Sequence, residues 1–333
     1  MGIVGNKSSR YWINYGGGGQ LSYPTSLTTT LSESPNWMAL NKTTNKIYVS
    51  DDAGSPAYSI ALVNAANLNF IGYIFLSSAE INVIAANPST NKIYAAGASN
   101  TLYVIDGSTD TLKTTVAVGD TPFGVAINSI TNRIYVINEG VSGTGQGTVT
   151  VIDGSNDTVI TTINVGSSTG IGSFVSVNPN TNKIYASVYE DGIVAVIDGK
   201  TNTVIKNITV GNLAFGSSIN TITNKIYVIN LLDNTVSVID GNADVVTATV
   251  TIPGASSDLN GISANPNNNR TYVAFTTGGS ANYVTVIKGS DYSTYTVTAP
   301  FNSIRNILVD PTTDVVYVDT AQATGTIGAI LSQ

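Results

Sequence analysis

One phrase recurs seven times along the chain, and its spacing restricts the fold more than any other feature. It reads TNKIYV from Thr44, TNKIYA from Thr90, TNRIYV from Thr131, TNKIYA from Thr181, TNKIYV from Thr223, NNRTYV from Asn268 and TDVVYV from Thr313. The tyrosines (Tyr48, Tyr94, Tyr135, Tyr185, Tyr227, Tyr272 and Tyr317) stand 41 to 50 residues apart. A period in the forties filled only with strand signals indicates a propeller or a solenoid.

Each unit has the same grammar. A short apolar strand ends in Asn or Asp, as in FGVAIN (Phe123 to Asn128), and a Pro/Ser/Thr/Asn turn leads to the repeated strand. After a variable loop comes a strand ending in Ile-Asp-Gly, as in TVTVIDG, then a turn and an alternating strand such as TVITTINVG. β-Branched runs of this length, bounded by turn residues, are strands. The pattern predicts an all-β, seven-bladed β-propeller with four antiparallel strands per blade.

Two further features predict a closed ring. Two residues before the end of each first strand stand Ala39, Ala85, Ala126, Ser176, Ser218, Ser263 and Leu308, six of them small, as strands crowded around an axis require. The last unit supplies only three strands (303–310, 315–319 and 325–332), and residues 26–32, SLTTTLS, resemble the missing outer one. Residues 25–333 are therefore expected to form one propeller domain. In it the N-terminal strand completes the last blade and removes an exposed edge.

Within the phrase, the Thr-Asn pair suits a tight turn and the tyrosine ring is expected between blades, its hydroxyl on a polar partner. Asp106, Asp153, Asp198 and Asp240 are expected to bond their own turns, with the following glycines at positive φ.

Units of the form NPxTNKIYV…TVxVIDGxTxTVxxTIxVG, best seen in NPNTNKIYASV and IVAVIDGKTNTVIKNITVG between Asn178 and Gly211, resemble the YVTN family of β-propeller repeats. That family occurs in archaeal surface-layer proteins and in bacterial periplasmic or secreted proteins. The resemblance covers about residues 26–333 and weakens in the first, sixth and last units, where ALVNAAN, VIKGS and TDVVYVDT depart from it. It implies an extracellular scaffold or binding role and brings no catalytic residues.

Composition narrows the chemistry. The 333 residues include no cysteine and no histidine, which removes thiol nucleophiles, histidine bases and thiolate or imidazole metal sites. Charged residues make up 11% and the net charge is -7, so there is no basic footprint for nucleic acid. No apolar run is long enough for a membrane span. The opening MGIVGNKSSRYWINYGGGGQ lacks the apolar core of a secretory signal, so a cell-surface location implies a signal already removed or another export route.

Binding is expected where the repeats stop agreeing, in the second-to-third loops and the links between blades. Asp51, Asp52, Glu139, Glu190, Asp191, Asp233 and Asp319 fall on or near that face and make it acidic, suited to a basic protein surface or a glycan. No catalytic residue, resident metal or cofactor is assigned. Calcium is the cation clustered carboxylates attract, although no Asp-x-Asp-x-Asp-Gly loop is present.

Residues 1–24 form an arm outside the repeats. Tyr11, Trp12 and Tyr15 lie in the strand-like segment RYWINY, and Gly16 to Gly19 form a hinge, so the arm is a candidate for self-assembly. Asn6, Asn41, Asn156, Asn207 and Asn269 stand in Asn-x-Ser/Thr sequons and are candidate glycosylation sites.

The sequence thus predicts a non-enzymatic extracellular or cell-surface propeller, a structural or interaction module of a surface layer, appendage or adhesion system. Two alternatives stay open: a virion or filament surface protein, and a propeller enzyme of lactonase or lyase type. The latter would use Arg305 with Asp258, Glu80 or Asp120 near the axial channel.

Overall fold

A computed structural model describes residues 28–31, 35–51, 59–76, 80–97, 99–140, 145–255, 259–277, 282–299, 303–320 and 326–331. They form twenty-eight strands, numbered β1 to β28 in chain order, in seven four-stranded antiparallel sheets. The protein is a seven-bladed β-propeller. The innermost strands are β2 (Pro35–Asn41), β6 (Ile81–Asn87), β10 (Pro122–Asn128), β14 (Gly172–Asn178), β18 (Ala214–Asn220), β22 (Leu259–Asn265) and β26 (Ile304–Asp310). Each touches the next, and β26 returns to β2, so the ring is closed.

The closing device is the expected one. The seventh blade runs β26, β27 (Val315–Thr320), β28 (Thr326–Leu331), and its outer strand is β1 (Thr28–Thr30). Thr28, Thr29 and Thr30 pair with Gly328, Ile327 and Thr326. Leu31 is buried against Tyr317, Ile327 and Ala329. Residues 26, 27 and 32 lie outside the described residues, as do the arm 1–24 and its glycines.

Close approach at the axis also holds. Ser218 Oγ accepts from Ala264 N at 2.9 Å, Ser263 Oγ from Val309 N at 3.1 Å, and Ser217 Oγ donates to Ser176 Oγ at 2.9 Å. These serines thus touch a neighbouring innermost strand, where a larger side chain would force the strands apart.

The repeated phrase joins blades through its asparagines. The Asn of each Thr-Asn turn takes the left-handed conformation, with φ between 52 and 55° from Asn45 to Asn269, and Asp314 takes the same place at 58°. Asn tolerates that conformation better than most residues. Its Oδ1 then accepts from the Asn that ends the innermost strand of the preceding blade. These bonds are Asn41 to Asn91 (2.6 Å), Asn87 to Asn132 (2.9 Å), Asn128 to Asn182 (2.7 Å), Asn178 to Asn224 (2.7 Å), Asn220 to Asn269 (2.9 Å) and Asn265 to Asp314 (2.6 Å). Each donor also caps its own turn through Oδ1, as Asn128 does for Ile130 N at 3.0 Å. An Asp could cap but could not donate, which explains why six innermost strands end in Asn. The seventh ends in Asp310, and there Lys42 of blade one closes the girdle at 2.9 Å. Burial opposes ionisation of Asp310, but the Lys42 contact and the turn hydrogen bonds outweigh it and lower its pKa.

The glycines of the Asp-Gly turns correct the sequence reading. None of Gly107, Gly154, Gly199 and Gly241 has positive φ; the turn's last residue does instead, at Asp110, Asp157, Asn202 and Asp244. Glycine is required for space. A Cβ at Gly107 would lie 2.6 Å from Asn91 Oδ1, and one at Gly154 would lie 2.5 Å from Asn132 Oδ1. The girdle asparagine occupies the room a side chain would need. The turn aspartates behave as expected: Asp153 Oδ1 accepts from Ser155 N at 2.9 Å and Ser155 Oγ at 2.6 Å.

The left-handed turn residue carries a second inter-blade link. Where it is Asp, the Lys of the preceding blade's repeated strand reaches it: Lys46 to Asp110, Lys92 to Asp157 at 2.8 Å, Lys183 to Asp244 at 2.6 Å. Where it is Asn202 or Tyr292, the preceding Arg133 or Lys225 bonds its own blade's Asp153 or Asp240 instead, at 2.8 and 2.9 Å. Between blades seven and one both partners are apolar, and Val315 packs in the cluster that contains Leu68. Six of the tyrosines are at most 1% exposed and Tyr317 is 3% exposed. Tyr48 and Tyr94 donate to the same Asp110 and Asp157, at 2.7 and 3.4 Å, and Tyr317 donates to Ala65 O at 2.8 Å. Tyr135 faces the Asn202 turn, and its hydroxyl has no partner.

Candidate interaction surface

In a propeller the first places to look are the axis, the variable-loop face and the rim. The axis is filled. Trp37 of β2 meets Phe174 of β14 with ring centroids 5.4 Å apart, and Phe123 of β10 meets Phe215 of β18 at 6.0 Å. Neither pair belongs to adjacent blades, so these rings meet across the axis. They sit near the starts of the innermost strands, the end facing the variable loops. Tyr189 packs edge-on to Phe215 at 6.4 Å.

On the variable face the predicted acids do not act as a group. Asp191 accepts from Ser167 N at 2.6 Å and Ser167 Oγ at 2.8 Å, tying its loop to the link that enters the same blade. Asp233 does the same with Asn212 N at 2.8 Å and Asn212 Nδ2 at 2.9 Å, and these bonds lower its pKa. Asp120 accepts from Asn100 Nδ2 at 2.7 Å. Glu190 is exposed, whereas Glu139 is half-buried, with its pKa raised by that burial. Asp51 ends β3 (Lys46–Asp51), and Asp52 and Asp258 lie outside the described residues. Among the described residues no three carboxylates converge where a metal ion could be held. A shallow groove of about 420 Å³ between blades four and five is lined by Thr209, Thr235, Ser237, Thr249 and the already engaged Asp233.

Asp319 is not on this surface. It is 0% exposed, and its Oδ1 accepts from Asn306 N at 2.7 Å inside the β26–β27 bulge, while Oδ2 has no hydrogen-bond partner. Ser50 holds the matching place in blade one, where its Oγ accepts from Trp37 N at 3.0 Å. Burial raises the Asp319 pKa to about 7, against the backbone donors and the nearby Arg305 charge. The folded state then keeps a proton that the unfolded chain, with an ordinary carboxyl, has lost above about pH 4. Stability contributed by this group is full below that pH, falls as pH rises through the folded pKa near 7, and is flat above it. Asp319→Asn should remove this slope and be more stable than the parent at pH 8, with little gain at pH 4.5. Paired thermal melts at the two pH values measure it, and an unchanged pH dependence would contradict the assignment.

The sequons divide by burial. Asn41 is 0% exposed with its Nδ2 bonded to Asn91, whereas Asn269 is half-buried and only its Oδ1 is engaged, by Asn220 in the girdle. Asn156 and Asn207 are exposed, and Asn6 lies outside the described residues.

The rim holds a feature the sequence reading missed. Blade one runs β2, β3, β4 (Ser59–Asn64), β5 (Phe70–Phe75), and β5 is FIGYIF. The other outer strands are rich in threonine, as in TLKTTVA, TVITTIN and VVTATVT, whereas β5 has none and no charge. Phe70 is 43% exposed, Ile71 48% and Phe75 63%. The rings of Phe70 and Tyr73 meet tilted at 4.8 Å, and those of Tyr73 and Phe75 at 6.0 Å, giving a continuous aromatic strip. Because β5 ends its sheet, its outer backbone groups face away from any strand of the blade. An uncharged, aromatic edge strand is a template for another strand. The missing threonines were the available signal. Tyr11, Trp12 and Tyr15 lie outside the described residues.

Among the described residues no helix is long and apolar enough to cross a membrane. Compared with protein-family models and with curated proteins, the chain matches none of either.

Proposed function

We propose that this propeller is a non-enzymatic interaction module of a cell or particle surface, a role in keeping with the likeness of its repeats to the YVTN family. It engages protein through the rim of blade one. The observation that carries this reading is the exposed aromatic strip of β5 on an otherwise threonine-rich rim. Aromatic side chains are the residues that most often anchor protein contacts. The acidic loops support the rim only indirectly: Asp191 and Asp233 already hold the blade links, and Asp319 is buried. A lactonase- or lyase-type site at this end of the axis would have to form around Trp37, Phe174, Phe123 and Phe215, which meet across it.

The test is association of the full chain in solution. Sedimentation velocity across a hundredfold concentration range should show reversible growth in mass for the parent. Phe75→Lys, which places a charge on the strip without touching a buried contact, should shift that growth to at least tenfold higher concentration. A parent that remains monomeric throughout, or a variant that associates equally well, would overturn the rim reading.

A further inference from the structure

Strand β5 offers a full edge but a small area. Six residues cannot supply the roughly 1,200–2,000 Å² of a stable contact between two folded surfaces. An extended segment suits such an edge better, since main-chain hydrogen bonds supply affinity and alternate side chains fill pockets.

A segment of that kind stands N-terminal to the described residues. Residues 10–15, Arg-Tyr-Trp-Ile-Asn-Tyr, carry three aromatics, one cation and no acid. Four consecutive glycines, Gly16 to Gly19, follow. Its tether leads in sequence to Thr28 of β1, the outer strand of blade seven, and blade seven adjoins blade one. Twelve residues separate Tyr15 from Thr28, enough to span about 40 Å when extended.

Charge permits a neighbouring copy as the donor. Molecules of net charge -7 repel one another, so a contact between copies must be locally uncharged or cationic on one side. Strand β5 has no charge, and the segment carries Arg10. Resting on the rim reading above, we propose that residues 10–15 of one molecule add as a fifth strand to the β5 edge of the next. The aromatic rings of the segment lie along Phe70, Tyr73 and Phe75. Reciprocal exchange of the segment closes a dimer, and one-way repetition builds a ring or an open filament.

The absence of cysteine allows a direct test. A Trp12→Cys chain mixed with a Phe75→Cys chain should form a disulfide-linked heterodimer under mild oxidation, and the double variant should form a ladder of oligomers. Deletion of residues 1–20, which leaves β1 in place, should abolish the mass growth seen in sedimentation. A synthetic peptide of residues 8–17 should bind the deleted chain saturably, and at least tenfold more weakly after Phe75→Lys. A double variant that cross-links only within one chain would overturn the proposal by showing the segment on its own rim. Association that needs Phe75 but survives the deletion would overturn it while leaving the rim reading intact. Loss of neither would sink both.

Discussion

A chain lacking residues 1–31 will lose about 10 °C of melting temperature and its single sharp unfolding transition. A chain lacking only residues 1–20 will melt like the parent. The difference isolates β1. Its removal strips Leu31 from the cluster of Tyr317, Ile327 and Ala329, worth about 2 kcal/mol by apolar burial. It also breaks the pairing of Thr28, Thr29 and Thr30 with β28, at about 1 kcal/mol net for each ladder hydrogen bond. A loss of about 5 kcal/mol in a domain of this size corresponds to roughly 10 °C. Exposing β28 at the seam also creates a new sheet edge, so the truncated chain should aggregate on heating. Calorimetry of the two truncations decides the matter. Equal melting temperatures would mean that the ring holds without its N-terminal strand.

The second large effect concerns the ionic link between blades two and three. Asp157 is the acceptor for Lys92, for Lys113 at 3.2 Å and for the Tyr94 hydroxyl, and its side chain is 4% exposed. Asp157→Ala leaves the Lys92 ammonium, itself 12% exposed, without its carboxylate. Breaking a buried pair from one side costs about 3 kcal/mol, or roughly 6 °C here. Lys113, 47% exposed, turns to water and adds little. The same logic with reversed sign applies one blade on. Asn202 occupies the place of Asp157, facing Arg133 and a Tyr135 hydroxyl that has no partner, and its own Oδ1 is unpaired. Asn202→Asp should restore the link and raise stability by about 1 kcal/mol. Thermal melts at pH 7 measure both changes. A stabilising Asp157→Ala or a destabilising Asn202→Asp would show that the repeated Lys and Asp positions are not coupled as described.

These two cases show what a repeat sequence can reveal. The Thr-Asn turn, the strand boundaries and the spare N-terminal strand were legible because each is written within about ten residues, in turn chemistry and alternation. Lys92 and Asp157 are 65 residues apart, and their pairing becomes visible only once blade two is known to face blade three. The girdle was hidden for the same reason. Asn128 and Asn182 each looked like ordinary turn residues, and only their 2.7 Å contact explains why the strand ends in Asn rather than Asp. The Asp-Gly turns were misread because glycine commonly marks positive φ, whereas here it makes room for an asparagine from the neighbouring turn.

The candidate surface was less legible than the fold. Asp191, Asp233 and Asp319 share a residue class and a loop or strand-end position, which suggested one acidic face. Hydrogen bonds 24 and 21 residues apart in sequence assign the first two to holding blade links, and burial removes the third. In sequence FIGYIF looks like any apolar strand, because apolar residues in a strand normally face a core. Its exposure follows from its place as the fourth strand of a blade, at the rim of the ring.

By itself the sequence determined the all-β class, the number of blades, the small residues at the axis and the strand that closes the ring. Each is a repeated or local property, and seven imperfect copies average out the noise of any one. Only the tertiary structure decided which carboxylates are spent or buried, which aromatic rings meet across the axis and which outer strand turns aromatic side chains to water. Those properties belong to side chains tens of residues apart, and closing the ring is what brings them together or leaves them facing water.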